Sequence, residues 1–177
     1  MMKRVCVYCG SRDGDDPAFA NAAEVVGAGI AAHGMGLVYG AGDVGLMGRV
    51  ANSAMKAGGE VLGVIPEHLM AREVGKADVS ELIVVKTMHE RKMIMFERSD
   101  AFIALPGGPG TLDELIELLT WRQLGLHDRP AHLLNLKGYW DPLIALLTAT
   151  TERGFADKSF LDFLTVHDTA EGLLDAL

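Results

Sequence analysis

Short β-rich runs, several of them nearly all apolar, alternate with longer stretches of helical period along the whole chain, and this alternation leaves few folds open. Residues 4–9, 36–39, 60–65, 82–85, 101–105 and 131–136 read as strands. Runs without polar interruption belong to strands covered on both faces. Residues 17–33, 46–57, 89–99, 111–124, 141–153 and 170–177 read as helices. Gly34, Gly58, Gly125 and Gly154 follow or interrupt helix ends, where a left-handed residue is commonly needed. Strand then helix, repeated, implies a parallel sheet with right-handed crossovers. The expected fold is α/β, a Rossmann-like doubly wound parallel sheet flanked by helices on both faces, with an extra C-terminal helix. At 177 residues, a single domain spanning 1–177 is expected. The least regular stretch, residues 66–80, is polar and long enough to form a lid or rim.

Charge narrows the partners. Lys plus Arg number 16 against 24 Asp plus Glu, a formal charge of −8, so a polynucleotide partner is not expected. A pocket can still be locally positive and take a small anion. The opening residues superficially resemble a signal peptide, but the apolar run stops at Gly10. No stretch approaches the roughly 20 apolar residues of a membrane span. Two cysteines make no disulfide framework. A soluble, cytoplasmic domain without membrane partners is expected.

In open parallel sheets, ligands bind beyond the carboxyl ends of the strands. Three segments there are glycine-rich: Cys9-Gly10-Ser11-Arg12, the run from Gly40 to Gly48, and Pro106-Gly107-Gly108-Pro109-Gly110-Thr111. Three such turns on one edge point to a phosphate-bearing ligand. Gly40-x-Gly42-x-x-Gly45 matches the dinucleotide fingerprint, with Glu60 placed 20 residues after Gly40. No second domain carries a hydride acceptor, however, and the segment does not follow the first strand. A tight strand-to-helix turn is the preferred reading over NAD.

Residues 106–111 are more informative. Their glycines let backbone approach a ligand, and a helix beginning near Thr111 offers unpaired N–H groups and a positive dipole end. That helix carries Asp113, Glu114 and Glu117, the last two on one face, while Leu112, Leu115, Ile116 and Leu119 supply the buried side. Thr111-x-x-Glu114 spells a capping box, and a carboxylate there equally suits catalysis; both readings stand at this stage. Arg91 and Lys92, early in the preceding helix, supply balancing charge, with Arg98 two turns on. Cys6-x-x-Cys9 lies on one strand with its side chains on opposite faces, which favours core packing over redox or zinc chemistry. The histidines lack metal-ligand spacing, and neither a nucleophile elbow nor a Walker A segment occurs. No metal and no cofactor is expected. The nine methionines read as filler, with Met47 and Met88 placed to line an apolar base pocket.

These residues resemble a known family. The segment from Pro106 to Glu114 is similar to the PGGxGTxxE motif of the Lonely Guy (LOG) proteins, the cytokinin riboside 5′-monophosphate phosphoribohydrolases. Gly40 to Gly48 resembles their GGGxxGLMG segment, and Met88-His89-Glu90-Arg91-Lys92 resembles their MHxRK. The stretch from Thr120 to Pro130 is similar to the segment just beyond their motif glutamate. The resemblance runs in order from the first strand to about Phe155. It implies hydrolysis of the N-glycosidic bond of a nucleoside 5′-monophosphate, releasing an N6-substituted adenine and ribose 5-phosphate. It implies Arg91 and Glu114 as catalytic, with Lys92 and the Gly107, Gly108, Gly110, Thr111 turn binding the nucleotide. Glu73 is the nearest match to an acidic ligand contact. Ser11, Gly42, Met88 and Glu117 complete the expected binding set. A homodimer with active sites near the subunit interface is implied. The older label of lysine decarboxylase finds no pyridoxal phosphate site here.

Four departures stand out. Pro109 removes an amide donor from the phosphate turn. Ala41 replaces a glycine and is expected to avoid positive φ. Arg12 replaces a serine and is placed to add a phosphate contact. The segment around Glu73 matches poorly. A nucleotide- or cofactor-binding carrier without catalysis is the main alternative function.

Overall fold

The computed structural model describes residues 2–70 and 78–177. Its elements are β1 (Arg4–Tyr8), α1 (Pro17–Ala32), β2 (Gly36–Tyr39), α2 (Gly45–Lys56), β3 (Val61–Pro66), β4 (Glu81–Val85), α3 (Met88–Glu97), β5 (Ala101–Ala104), α4 (Pro109–Gln123), β6 (Ala131–Leu134), α5 (Asp141–Glu152), β7 (Leu164–His167) and α6 (Ala170–Leu174). Among the described residues the strands form one parallel sheet in the order β4-β3-β2-β1-β5-β6-β7.

Alternating side chains feed two cores. Val5, Val7, Leu37, Tyr39 and Val61 pack under α1, α2 and α6. Cys6, Tyr8, Val38, Leu62 and Phe102 point the other way, under α3 and α4. A third cluster joins Leu115 and Leu119 of α4 to Trp140, Leu143 and Leu147 at α5. The doubly wound architecture read from the apolar runs is therefore present. Cys6 and Cys9 are free, buried thiols in opposite clusters, as strand geometry requires. Gly34, Gly58, Gly125 and Gly154 all take positive φ at helix ends.

Winding starts from the centre. From β1 the chain builds outward to β4, then crosses to β5 on the other flank of β1, where Val5 pairs with Ala101 and Tyr8 with Ala104. The connections after β1 and β5 leave toward opposite faces, and a crevice opens between them at the carboxyl edge.

Some expectations are corrected. Residues 164–167 form the edge strand β7, unread in the sequence because Thr165 and Val166 face solvent. Ile116 is exposed, and Leu118 replaces it on the buried stripe with Thr111, Leu115 and Leu119. The final helix stops at Leu174. After Pro66 a single 3-10 turn, Glu67–Leu69, follows β3; the rest of the expected rim, including Glu73, lies largely outside the described residues. Among the described residues, no helix is long and apolar enough to cross a membrane.

Candidate active site

Two glycine-rich turns meet across the crevice. The Gly10 amide donates to the carbonyl of Pro106 at 3.1 Å, tying the turn after β1 to the turn after β5. The third turn stacks beneath the first. Gly45 has φ of 58°, and a Cβ there would lie 2.3 Å from the backbone of Ser11 and Arg12. Only glycine serves at that position. The space beside Gly48 is likewise filled by Asp43 backbone. These glycines pack against protein, and Glu60 sits before β3 at the opposite sheet edge, 3.9 Å from Arg4. The dinucleotide alternative thus loses its acidic partner, and the tight-turn reading holds.

Helix α4 starts three residues earlier than the capping-box pattern suggests. Gly108 is its N-cap, in extended conformation with no side-chain cap, and Pro109 takes the first helical position. Proline fits there because the first amide is unpaired in any helix. Thr111 is consequently an interior, buried residue whose hydroxyl lies against Gly107. The capping box at Thr111 and Glu114 is overturned, and capping no longer accounts for Glu114. A capping box does occur one helix earlier: Thr87 Oγ1 accepts from the Glu90 amide at 3.1 Å, and Glu90 Oε2 accepts from the Thr87 amide at 3.2 Å. It went unread although Thr87-x-x-Glu90 spells the same pattern.

That cap sets the position of Arg91. Arg91 is buried, 5% exposed, and its guanidinium is held by backbone at β3 and just past β2: Nε donates to Val64 O at 3.1 Å and Nη2 to Gly40 O at 2.7 Å. Arg91 and Glu114 line one cavity of about 140 Å³ with Cys9, Ser11, Met47, Gly108, Gly110 and Thr111. Burial raises the Cys9 thiol well above its usual range; the Glu114 charge pushes it further and Arg91 opposes. Both charges therefore act on one wall of the cavity. Across Gly10, Ser11, Gly108 and Pro109, a larger cavity of about 510 Å³ is lined also by Arg12, Asp13, Phe19, Gly107 and Tyr139.

The remaining expected residues are distributed around this centre. Among the described residues neither cavity is lined by Gly42, Met88, Lys92 or Glu117. Gly42 is buried in the turn after β2, and the Met88 sulfur lies 4.0 Å from Arg91 Nη1. Lys92 Nζ donates to Asp113 at 3.0 Å and to Glu117 at 3.1 Å, tying α3 to α4. Burial pulls its pKa down, but hydrogen bonds to both carboxylates more than compensate, so the net shift is upward. Ala41, contrary to expectation, has φ of 61° and is fully buried. Its methyl occupies the space Gly63 leaves by lacking a Cβ, so packing holds the strained backbone. Tyr139 was not anticipated; it reaches the site through an unread loop. Among the described residues no group of acidic, histidine and cysteine side chains could hold a metal.

Comparisons with known proteins agree with this geometry. A family profile described as "Possible lysine decarboxylase" matches residues 47–177. The probable cytokinin riboside 5′-monophosphate phosphoribohydrolase LOGL1 of Oryza sativa subsp. japonica is 48% identical over 171 residues, covering 97% of this chain and 77% of that relative. The cytokinin riboside 5′-monophosphate phosphoribohydrolase LOG1 of Arabidopsis thaliana is 42% identical over 175 residues, covering 99% and 82%. Among solved structures, the molybdenum cofactor carrier protein MCP from Chlamydomonas reinhardtii superposes with a TM-score of 0.77 at 22% identity, covering 99% of this chain and 96% of that one. That likeness speaks for the fold alone. The residues around the crevice and the near full-length identity agree: this chain belongs to the LOG family of cytokinin riboside 5′-monophosphate phosphoribohydrolases.

Proposed function

We propose that this protein hydrolyses the N-glycosidic bond of an adenosine 5′-monophosphate, N6-substituted as in a cytokinin riboside monophosphate, to free base and ribose 5-phosphate. The observation that carries this reading is the meeting of Arg91 and Glu114 in one small cavity bounded by the glycine turns. The names of relatives 42–48% identical support the same reaction.

The uncapped start of α4 receives the 5′-phosphate through the amides of Gly108, Gly110 and Thr111. That anchoring places C1′ between Arg91 and Glu114 and spends remote binding energy on orientation. Water oxygen bonds to C1′ as the C1′–N bond breaks through an oxocarbenium-like state. The electron pair passes to the base nitrogen, and the proton lost by water balances it. The Glu114 carboxylate stabilises the cation and orients the water. Arg91, fixed by Gly40 and Val64 carbonyls, offsets negative charge on the departing base.

Lysine decarboxylation would instead call for pyridoxal phosphate on a lysine amine able to lose its proton. Lys92 is held charged by Asp113 and Glu117, and Lys137 pairs with Asp16. These residues do not fit that group.

A homodimer is part of the proposal, supported by exposed Met93 and Ile116 on the two helices that carry Arg91 and Glu114. A cytoplasmic location is proposed on the two free thiols.

The test incubates the protein with AMP and with isopentenyladenosine 5′-monophosphate and quantifies base and ribose 5-phosphate. Base release lost in Glu114→Gln and in Arg91→Ala is expected. Full turnover by Glu114→Gln sinks the catalytic role, and nucleotide binding without base release means a carrier.

A further inference from the structure

The loop of residues 135–141, after β6, contributes one unanticipated contact to the crevice. Asn135 organises it: its amide donates to His167 O at 2.8 Å, Nδ2 donates to Asp141 Oδ1 at 2.7 Å, and Oδ1 accepts from the Trp140 amide at 2.7 Å. Lys137 and Gly138 both take positive φ, 54° and 74°, which reverses the chain. The Lys137 ammonium pairs with Asp16 at the start of α1. This frame sets the Tyr139 ring edge-on to Phe19, with centroids 5.7 Å apart, and its hydroxyl donates to the Gly107 carbonyl at 2.6 Å.

We propose that Tyr139 is a positioning residue for the glycine turn between β5 and α4: by holding Gly107 O, it orients the amide of Gly108 toward the phosphate. Gly107 O and Gly108 N–H belong to one planar trans peptide, so they point in opposite directions. Tyr139 grips the carbonyl from the larger cavity, which it lines with Gly107, whereas the smaller cavity contains neither. The Gly108 N–H is therefore turned away from Tyr139, and Gly108 also lines the smaller cavity with Arg91 and Glu114. A Cβ at Gly108 would meet nothing within 4 Å, and its own carbonyl is held by the Leu112 amide at 3.1 Å, so on the other side of this residue Tyr139 fixes the peptide that carries the Gly108 N–H. Pro109 raises the stakes. With no N–H at 109, the phosphate draws on Gly108, Gly110 and Thr111, and the direction of the Gly108 amide matters more.

The inference rests on the phosphoribohydrolase reading for its kinetic arm, while its binding arm stands without turnover. Affinity for ribose 5-phosphate is measured by calorimetry in the wild type, Tyr139→Phe, Pro109→Ala and the double variant, alongside kcat and KM for AMP. Tyr139→Phe is expected to weaken ribose 5-phosphate and raise KM about three- to tenfold, the worth of one net hydrogen bond, with kcat kept within about twofold. In the Pro109→Ala background, which restores an amide, the same change is expected to cost less than about twofold. Unaltered ribose 5-phosphate affinity in Tyr139→Phe, a fall in kcat at constant KM, or an equal penalty in both backgrounds overturns the proposal. Absence of base release from any 5′-monophosphate defeats the hydrolase reading, and the affinity ratios then still decide the role of Tyr139.

Discussion

Arg91 occupies the space that a side chain at position 40 would need. Its Nη2 donates to Gly40 O at 2.7 Å, and a Cβ built on Gly40 would lie 2.0 Å from that nitrogen and 3.0 Å from Cζ. The glycine opening the turn after β2 is therefore a seat for the guanidinium, and residues far apart in the chain share one function. Gly40→Ala forces Arg91 off both carbonyl anchors. A displacement of about 1 Å at a reacting group costs on the order of 100-fold in rate. Turnover of Gly40→Ala should fall by about that factor with the sheet intact, measured as base release beside a far-UV circular dichroism spectrum. Activity within about threefold of wild type would show that Arg91 needs no such seat.

Within residues 88–92 neighbours divide the labour. Glu90 closes the capping box with Thr87 and also accepts from the Lys86 amide at 2.8 Å, whereas Arg91 reaches into the cavity. Loss of such a cap costs about 1 kcal/mol. Thr87→Ala and Glu90→Ala should each lower the unfolding free energy from urea titration by that much, with turnover above about one-third of wild type. Arg91→Lys should show the reverse, because a lysine ammonium cannot span two carbonyls with a planar fork. A rate loss in Glu90→Ala as deep as in Arg91→Lys would contradict this division.

How much the sequence made legible depends on the range of the interactions involved. Apolar runs disclosed β1, β2, β3 and β6 because burial on both faces writes itself into consecutive residues. β7 has two solvent-facing residues of four and no such imprint. The start of α4 was misplaced because Thr111-x-x-Glu114 imitates a cap, although Pro109 at the first helical position was the available signal. At Ala41, a local rule predicted ordinary φ, and distant Gly63 overrode it by making room for the methyl. Glu114 and Arg91 were identifiable by motif, but their convergence depends on strand order. Tyr139 left no trace, since its contact with Gly107 spans 32 residues and passes through a loop held by Asn135.

Outside the crevice, His132 of β6 and His167 of β7 share a hydrogen bond, Nδ1 to Nε2, at 3.0 Å. His132 is buried, and burial followed by the charge of His167 lowers its pKa below the ordinary 6.5. Burial likewise lowers His167, partly opposed by Asp168. In the unfolded chain both rings regain the ordinary value, so on acidification the unfolded state binds protons first. Stability contributed by the neutral pair is thus fully present above about pH 6.5 and is lost as pH falls through the unfolded value toward the folded ones. The pair closes β6 onto the sheet edge, so the loss should appear there first. Urea midpoints of wild type between about pH 7.5 and 5, values set around the ordinary histidine range, should decline below about pH 6.5. In His132→Phe, which keeps a ring but removes the more buried titrating group, that decline should flatten. An equal slope in both proteins would assign the acid sensitivity to other groups.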